Sequence, residues 1–321
     1  MAGFTNLAFR LIAKEVGGCG LVASEMVAAM DGDNRLRNRR WRFLTETVPQ
    51  EKPISMQVYG RDPALCADTA ALLEAAGADL IDLNCGCPVR KAKQAGCGVA
   101  LMDEPAQVGR IVSAMVEATS RPVTVKMRLG RTGADRTAVD VARAAVDAGA
   151  SAVAVHARTG ETKHGSEVDL EGVAAVRRVV DVPLLANGSL DTPERIRAAR
   201  DVAGADGYQI GRAACGDPWL FRRLRGEDGH APALAERRAL LKRHYDLIVE
   251  LFGEEMGTRV MRKYAFMYCE RLPGVRAFRD RFVRIERRAD FECIVEEFFA
   301  AAEATRLPRP PNAARDPHAE E

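Results

Sequence analysis

Short, nearly continuous apolar runs alternate along the chain with longer alanine-rich stretches. The runs at 20–24, 54–58, 80–84, 123–127, 152–156, 184–187 and 207–210 are each about one strand long. Their weak polar alternation predicts parallel strands covered on both faces. Helix starts are marked by Asp62-Pro63, Glu104-Pro105 and Thr192-Pro193. Proline fits a first helical turn because its missing N–H has no intrahelical partner there anyway. The returns repeat too: Ala76-Gly77-Ala78-Asp79, Ala148-Gly149-Ala150-Ser151 and Ala203-Gly204-Ala205-Asp206 each place glycine where a left-handed cap closes a helix. Lys52-Pro53, Arg121-Pro122 and Val182-Pro183 instead use the extended bias of a residue that precedes proline. About seven βα units therefore fill residues 1–222. Such a series forms either an α/β (β/α)8 TIM barrel or a doubly wound sheet.

The polar residues favour the barrel. Nearly every apolar run ends in one: Glu25, Gln57, Asn84 with Cys87, Lys126 with Arg128, His156 with Arg158, Asn187-Gly188, and Gly211-Arg212. The C-terminal ends of barrel strands are where an active site is built. Asn187-Gly188-Ser189 and Gly211-Arg212 follow the last two runs, where such barrels often hold phosphate. Two ordinary glycine turns are the plainer alternative. Lys126 lies inside a run, where burial is costly unless the charge is used. It either faces an anionic part of a cofactor, such as a reduced flavin, or reaches solvent at the strand end. Gln57 and Asn84 suit the edge of a heterocycle or the capping of a turn. His156 suits a phosphate or ring contact, or a satisfied place in the core.

Asn84-Cys85-Gly86-Cys87-Pro88 admits three chemistries. Zinc fits poorly, because Cys85, Cys87 and Cys97 lack a fourth nearby ligand. A redox pair fits poorly, because the spacing is C-x-C rather than C-x-x-C. A single general acid fits better. Thiols ordinarily titrate at about 8.5 and so hold a proton near neutrality. A small buried thiol is the plain alternative, and suits Cys85 and Cys97 best.

Beyond Arg225 the pattern changes. Residues 227–232 read as a linker, and 234–303 carry helical periodicity, with Leu241, Tyr245, Ile248 and Phe252 on one face. Residues 304–321 are polar and proline-rich and read as a disordered tail. Residues 221–290 hold 17 basic and 11 acidic side chains, a local excess of six in a chain whose total is +2. The near-neutral total therefore hides a basic helical domain. Arginine (39) far outnumbers lysine (8), an imbalance that genome base composition produces unaided, so it carries no weight. At 321 residues, 47% hydrophobic and 29% charged, the chain is globular rather than fibrous or disordered. No run approaches the ~18 apolar residues of a membrane span. The N-terminus has no basic segment leading into an apolar one, and eight scattered cysteines then suggest reduced thiols in the cytoplasm.

These motifs resemble the tRNA-dihydrouridine synthases, closest to the bacterial members, from Met1 to about residue 300. The likeness rests on Met1-Ala2-Gly3-Phe4-Thr5, Asp82-Leu83-Asn84-Cys85-Gly86-Cys87-Pro88, Val125-Lys126-Met127-Arg128, Val155-His156-Ala157-Arg158-Thr159, Ala186-Asn187-Gly188 and Ile210-Gly211-Arg212-Ala213-Ala214. Arg262-Lys263 with Tyr268 resembles the family's basic stretch in the helical domain. The resemblance implies FMN-dependent reduction of tRNA uridines to 5,6-dihydrouridine, driven by NADPH or NADH. FMN would lie across the barrel mouth against Met1, Ala2, Gln57, Lys126 and His156, with Asn187, Gly188, Ser189, Gly211 and Arg212 at its phosphate end. Hydride would pass to uracil C6, and Cys87 would protonate C5. Asn84, Arg128, Arg158, Arg262 and Lys263 would contact a substrate from the D-loop region of tRNA. Arg259, Arg276, Arg279 and Arg284 would add phosphate contacts, as would Lys91 and Lys93. No metal is implied, and a monomer suffices for such a clamp. A flavin barrel acting on free pyrimidines, and a tRNA-binding protein with a degraded flavin site, are the competing readings.

The chain departs from the family pattern in places. Asn6 stands where Asp is usual, Ala157 where Gly is common, Tyr264 where His is common and Met267 where Trp is common. Met1 also sits inside the motif that ordinarily closes the first strand. Only seven strands are legible, so the first is expected to be truncated and the natural product to begin upstream.

Overall fold

A computed structural model describes residues 1–38, 40–162, 166–227, 231–270 and 272–306. The chain forms two compact units, Met1–His230 and Ala231–Glu321.

The first unit is built on seven parallel strands in sequence order: β1 Val22–Ala28, β2 Ile54–Tyr59, β3 Leu80–Cys85, β4 Val123–Arg128, β5 Ala152–His156, β6 Leu184–Asn187 and β7 Gly207–Gln209. Helix α1 Leu7–Val16 precedes β1, and the short helices α2 Gly32–Arg37 and α3 Trp41–Thr45 lie between β1 and β2. The later crossovers are α4 Pro63–Ala75, α5 Arg90–Gln94 with α6 Pro105–Ala118, α7 Ala138–Asp147, α8 Leu170–Arg177 and α9 Pro193–Ala203. The short helix α10 Leu220–Leu224 follows β7. Local chemistry sets these boundaries. Asp62 and Thr192 cap α4 and α9 with side-chain oxygens, each followed by proline in the first turn. Gly77, Gly149 and Gly204 take φ of 99°, 99° and 62°, the left-handed conformations expected at the returns.

The sheet curls as a half-barrel, and it corrects two expectations. The seven legible runs give seven strands among the described residues, whereas the closed eight-stranded barrel of the expected fold class is not formed by them: no ladder among them joins β7 to β1. The N-terminal turn reaches both ends of this row. Gly3 N donates to Glu25 Oε2 at 2.6 Å, and a Cβ at Gly211, just past β7, would lie 3.1 Å from Met1 Sδ. The first strand was expected over 20–24 with Glu25 at its end. It runs instead through Glu25 to Ala28, with a register irregularity between Ala23 and Met26. Ser24-Glu25 reads as a strand end only when that irregularity is invisible.

Coverage on both faces by apolar contacts also needs refining. Ile54, Met56, Val58, Ile81, Leu83, Val125, Met127, Val153, Val155, Leu184 and Ala186 form one face, fully buried under the helices. The other face is polar. Register places Gln57, Asp82, Thr124 and Ala152 in one row, and Asn84, Lys126 and Ala154 in the next. Arg128, His156, Asn187 and Gln209 form the last row, at the C-terminal ends. The period of two in side-chain direction thus sorts each strand into a structural face and a chemical face.

The second unit packs α11 Leu234–Phe252, α12 Glu254–Cys269, α13 Val275–Phe282 and α14 Arg288–Arg306. Its core is aromatic: Tyr245 stacks on Phe291 with centroids 3.9 Å apart, and Phe282 meets Phe291 edge-on. Leu241, Tyr245 and Ile248 of the expected helical face are fully buried. Residues 304–306 of the expected tail close α14 instead of being disordered, while the rest of that tail and residues 228–230 of the linker lie outside the described residues. Among the described residues, no helix is long and apolar enough to cross a membrane.

Candidate active site

The site residues occupy the polar face of the sheet and the loops at its C-terminal edge. Cys87 sits in the loop after β3, half-buried. Asn84 Oδ1 accepts from the backbone N–H of both Gly86, at 3.1 Å, and Cys87, at 2.9 Å. The Cys87 carbonyl accepts from Val99 N at 3.1 Å. Gly98 makes that approach possible, since a Cβ there would lie 2.7 Å from the Cys87 oxygen and its φ is 61°. Arg128 Nε donates to the Gly86 carbonyl at 2.8 Å. The thiol is thus carried on a loop held from three sides. Cys85 points to the apolar face and is fully buried, which drives its pKa far up and keeps it a neutral thiol. Cys97 is buried as well, with its pKa raised by burial.

Lys126 Nζ donates to Asn187 Oδ1 at 3.1 Å, and Asn187 Nδ2 donates to the Gln209 carbonyl at 2.6 Å. Burial lowers the Lys126 pKa to about 8, against the opposing pull of Asp82. Lys126 is half-buried, with its amine turned to Asn187. Gln57 is aligned beside Asp82 and donates to it through Nε2 at 2.6 Å.

A second cluster forms after β5, β6 and β7. Arg158 Nη2 donates to Ser189 Oγ at 2.8 Å and to the Ser166 carbonyl, and Nη1 lies 3.3 Å from His156 Nε2. Burial lowers the Arg158 pKa, and the neighbouring charges of Arg212 and Arg195 lower it further. Three cations are gathered at one place, and among the described residues Arg195 is the one paired to a carboxylate, Asp191. Gly188 has φ 120° and no room for a side chain, because a Cβ would meet His156 Cδ2 at 2.9 Å. Ser189, at φ 52°, is the one described non-glycine residue with positive φ, a strained conformation that turns the backbone at this cluster. Met1 lies at the same edge, its amino group donating to Thr5 Oγ1 at 2.8 Å and its pKa lowered by burial. Ala2 is exposed.

Arg262 and Lys263 belong to the second unit. Arg262 Nε donates to the Ile285 carbonyl at 3.0 Å, so this guanidinium ties α12 to the end of α13. Lys263 lies 5.0 Å over the Tyr264 ring. Arg259 pairs with Glu255 at 3.0 Å, Arg279 sits over Phe266, and Arg276 and Arg284 are exposed.

Two features escaped the sequence reading. Asp82 is a buried carboxylate on the polar face. Its signal was an acidic residue inside an apolar run. The other is the stretch Arg35-Leu36-Arg37-Asn38-Arg39-Arg40-Trp41-Arg42, in the connection leaving the C-terminal end of β1. Trp41 and Leu44 pack on the core, while Arg37, Arg40, Arg42 and Leu36 are exposed. Discounting arginine over the whole chain hid this local density.

The family model for dihydrouridine synthase (Dus) matches residues 1–304. The tRNA-dihydrouridine synthase B of Pseudomonas aeruginosa is 39% identical over 307 residues, spanning 94% of this chain and 91% of that protein. The tRNA-dihydrouridine synthase B of Salmonella typhimurium is 34% identical over 304 residues, spanning 93% and 94%. Among solved structures, a variant of NCR from Zymomonas mobilis superposes with a TM-score of 0.51 at 15% identity, covering 71% of this chain and 83% of that one, a likeness of fold alone.

Proposed function

The chain belongs to the dihydrouridine synthase family, and from that premise we propose that it reduces specific uridines in tRNA to 5,6-dihydrouridine. FMN is the cofactor, NADPH or NADH the reductant, and Cys87 the proton donor to uracil C5. The observation that carries this reading is the pairing of the Cys87 loop with a cation cluster on one edge of one sheet.

The residues fit the flavin nucleotide. Arg158 and Arg212 with Ser189 offer charge and hydroxyl donors to its phosphate, beside backbone at Gly188 and Gly211 that carries no side chain. Gln57, Lys126, His156 and Asn187 line the approach, and Lys126 offers its charge to the electron-rich edge of the ring. Bound FMN supplies hydride to uracil C6. The thiol of Cys87 holds the proton that C5 receives, which completes reduction of the C5–C6 double bond. The loop's three restraints orient that thiol. A base reaching the site must leave its stack, which favours loop nucleotides such as those of the D-loop. Arg37, Arg40 and Arg42 on the barrel, with the exposed Arg276 and Arg284 of the helical domain, supply the phosphate contacts such a substrate needs.

The test is direct. The purified full chain should be yellow with FMN and should form dihydrouridine in tRNA with NAD(P)H. A colourless protein, or one that reduces free uracil and ignores tRNA, refutes the proposal.

A further inference from the structure

We propose that Asp82 is a positioning residue that sets the Cys87 loop through an unbroken hydrogen-bond relay, Asp82–Gln57–Asn84–loop backbone. The proposal rests on the reading of Cys87 as proton donor only for its consequence, since the relay itself is geometry.

The relay has a defined direction. Asp82 Oδ2 accepts from Gln57 Nε2 at 2.6 Å, and Oδ1 accepts from Thr124 Oγ1 at 2.7 Å. Gln57 Oε1 accepts from Asn84 Nδ2 at 2.8 Å. Asn84 Oδ1 then accepts from Gly86 N and Cys87 N. Two primary amides lie in series, and each has two orientations that differ only by exchange of oxygen and nitrogen. An ionised carboxylate accepts and cannot donate. Asp82 therefore forces Gln57 to turn its nitrogen inward and its oxygen to Asn84. That oxygen forces Asn84 to present its own nitrogen to Gln57 and its oxygen to the loop. The two backbone N–H groups at the far end demand the same arrangement, so the relay is consistent from both ends.

The carboxylate is suited to this work. It is buried, and burial pushes its pKa up to about 6, with Gln57, Thr124 and Lys126 opposing the rise. It stays ionised at neutral pH and so keeps its acceptor-only character. Buried carboxylates are rare unless their charge is used. Among the described residues its two oxygens are occupied by the Gln57 amide and the Thr124 hydroxyl rather than by a basic side chain, so its charge acts on the relay through Gln57.

Alkylation of Cys87 by iodoacetamide, followed by peptide mass spectrometry on the full chain as purified, reads the relay without requiring turnover. Exposed Cys293 serves as the internal reference. Asp82→Ala should raise the Cys87 rate relative to Cys293 about fivefold, the scale of one lost hydrogen bond transmitted to the loop. Asp82→Asn should restore the parent rate, because its oxygen accepts from Gln57 while its nitrogen donates to the Thr124 hydroxyl. Gln57→Met cuts the relay one step on and should match Asp82→Ala, and the double variant should add nothing further. If Asp82→Ala does not fold, Gln57→Met decides the matter alone. A Cys87 rate unchanged in the interrupted variants, or an Asp82→Asn protein as labile as Asp82→Ala, overturns the proposal. Failure of the parent protein to reduce tRNA uridine would instead refute the functional reading and leave the labelling order intact.

Discussion

Arg128 Nε donates to the Gly86 carbonyl at 2.8 Å while its Nη1 donates to the Thr159 carbonyl at 2.7 Å. One guanidinium on β4 thereby ties the loop carrying Cys87 to the loop after β5, and with it to the Arg158 cluster. Arg128 is 3% exposed, so both carbonyls lose their partner in a shielded place if it is removed. Arg128→Met should cost about 2–6 kcal/mol of stability, from two carbonyls left unsatisfied at about 1–3 kcal/mol each. Arg128→Lys should recover only part of this, because an ammonium cannot reproduce the planar fork. Denaturant unfolding of the three proteins measures the series, and equal stabilities would show that the two carbonyls find other donors.

Cys87→Ala should reduce uridine reduction by about 10²–10⁴-fold, the range for loss of a positioned general acid. FMN content should be unchanged, since the cation cluster that serves the phosphate lies after β5, β6 and β7, away from the thiol's loop. Cys85→Ala tests the assignment from the other side. Cys85 faces the apolar layer and is fully buried, so its loss should lower stability by a core-cavity increment and leave turnover per folded molecule intact. Absorbance at the flavin band together with dihydurouridine yield separates these outcomes.

The exposed arginines after β1 have a salt signature. If Arg37, Arg40 and Arg42 each contact a phosphate, replacing all three with glutamine should weaken tRNA binding. It should also flatten the dependence of log K on log salt by about 2, at roughly 0.7–0.9 per contact. Replacing Arg42 also removes its exposed ion pair with Glu46, 3.3 Å away. Filter binding between low and moderate salt measures the slope. An unchanged slope would remove this stretch from the RNA surface.

Much of this architecture was legible. Strands β2 to β7 fall within a residue or two of their expected limits, because a glycine or an X-Pro step marks each return into a strand and proline opens three of the crossover helices. The polar ends of those strands were legible as well, since a polar residue closing an apolar run is a local signal. What depends on register was not. Gln57 and Asp82 are 25 positions apart, and only the pairing of β2 with β3 aligns them. Arg262 illustrates the same limit: its basic motif is visible in sequence, whereas its bond to the Ile285 carbonyl depends on how α12 meets the end of α13. The first strand was misplaced because its register irregularity leaves Ser24 and Glu25 inside an element whose apolar run their polarity interrupts.

Arg10 and Glu51 form a wholly buried ion pair, 1% and 0% exposed at the side chains, with Nε to Oε2 at 2.6 Å. Arg10 also donates to the Thr5 carbonyl at 2.8 Å and the Glu46 carbonyl at 2.7 Å, so it joins the N-terminal turn to the segment before β2. Arg10→Leu should destabilise by about 3–5 kcal/mol, because it strands a charged carboxylate in the core. The paired change Arg10→Met with Glu51→Leu should regain most of that loss, since it removes both desolvation costs together. Thermal unfolding of the single and double variants checks this, and additive losses would show that the backbone contacts of Arg10 dominate.

Lys126 gives the site a pH dependence whose sign follows from its burial. Its pKa falls from 10.5 to about 8 in the folded protein. Between those values the unfolded chain holds a proton that the folded chain has released. Stability therefore gains from this group as pH rises through that window, and its burial penalty is present in full below about 8. Ligand binding should run the other way. An electron-rich flavin edge beside Nζ favours the ammonium, so above about pH 8 the free protein must first take up a proton. The affinity of flavin-free protein for FMN should then fall by up to tenfold per pH unit, until the pKa of the complex is reached. Lys126→Met should bind FMN more weakly at pH 7 and show no such decline. Flavin fluorescence titrations between about pH 7 and 9 read both proteins. A parent curve as flat as that of the variant would place the Lys126 charge away from the flavin.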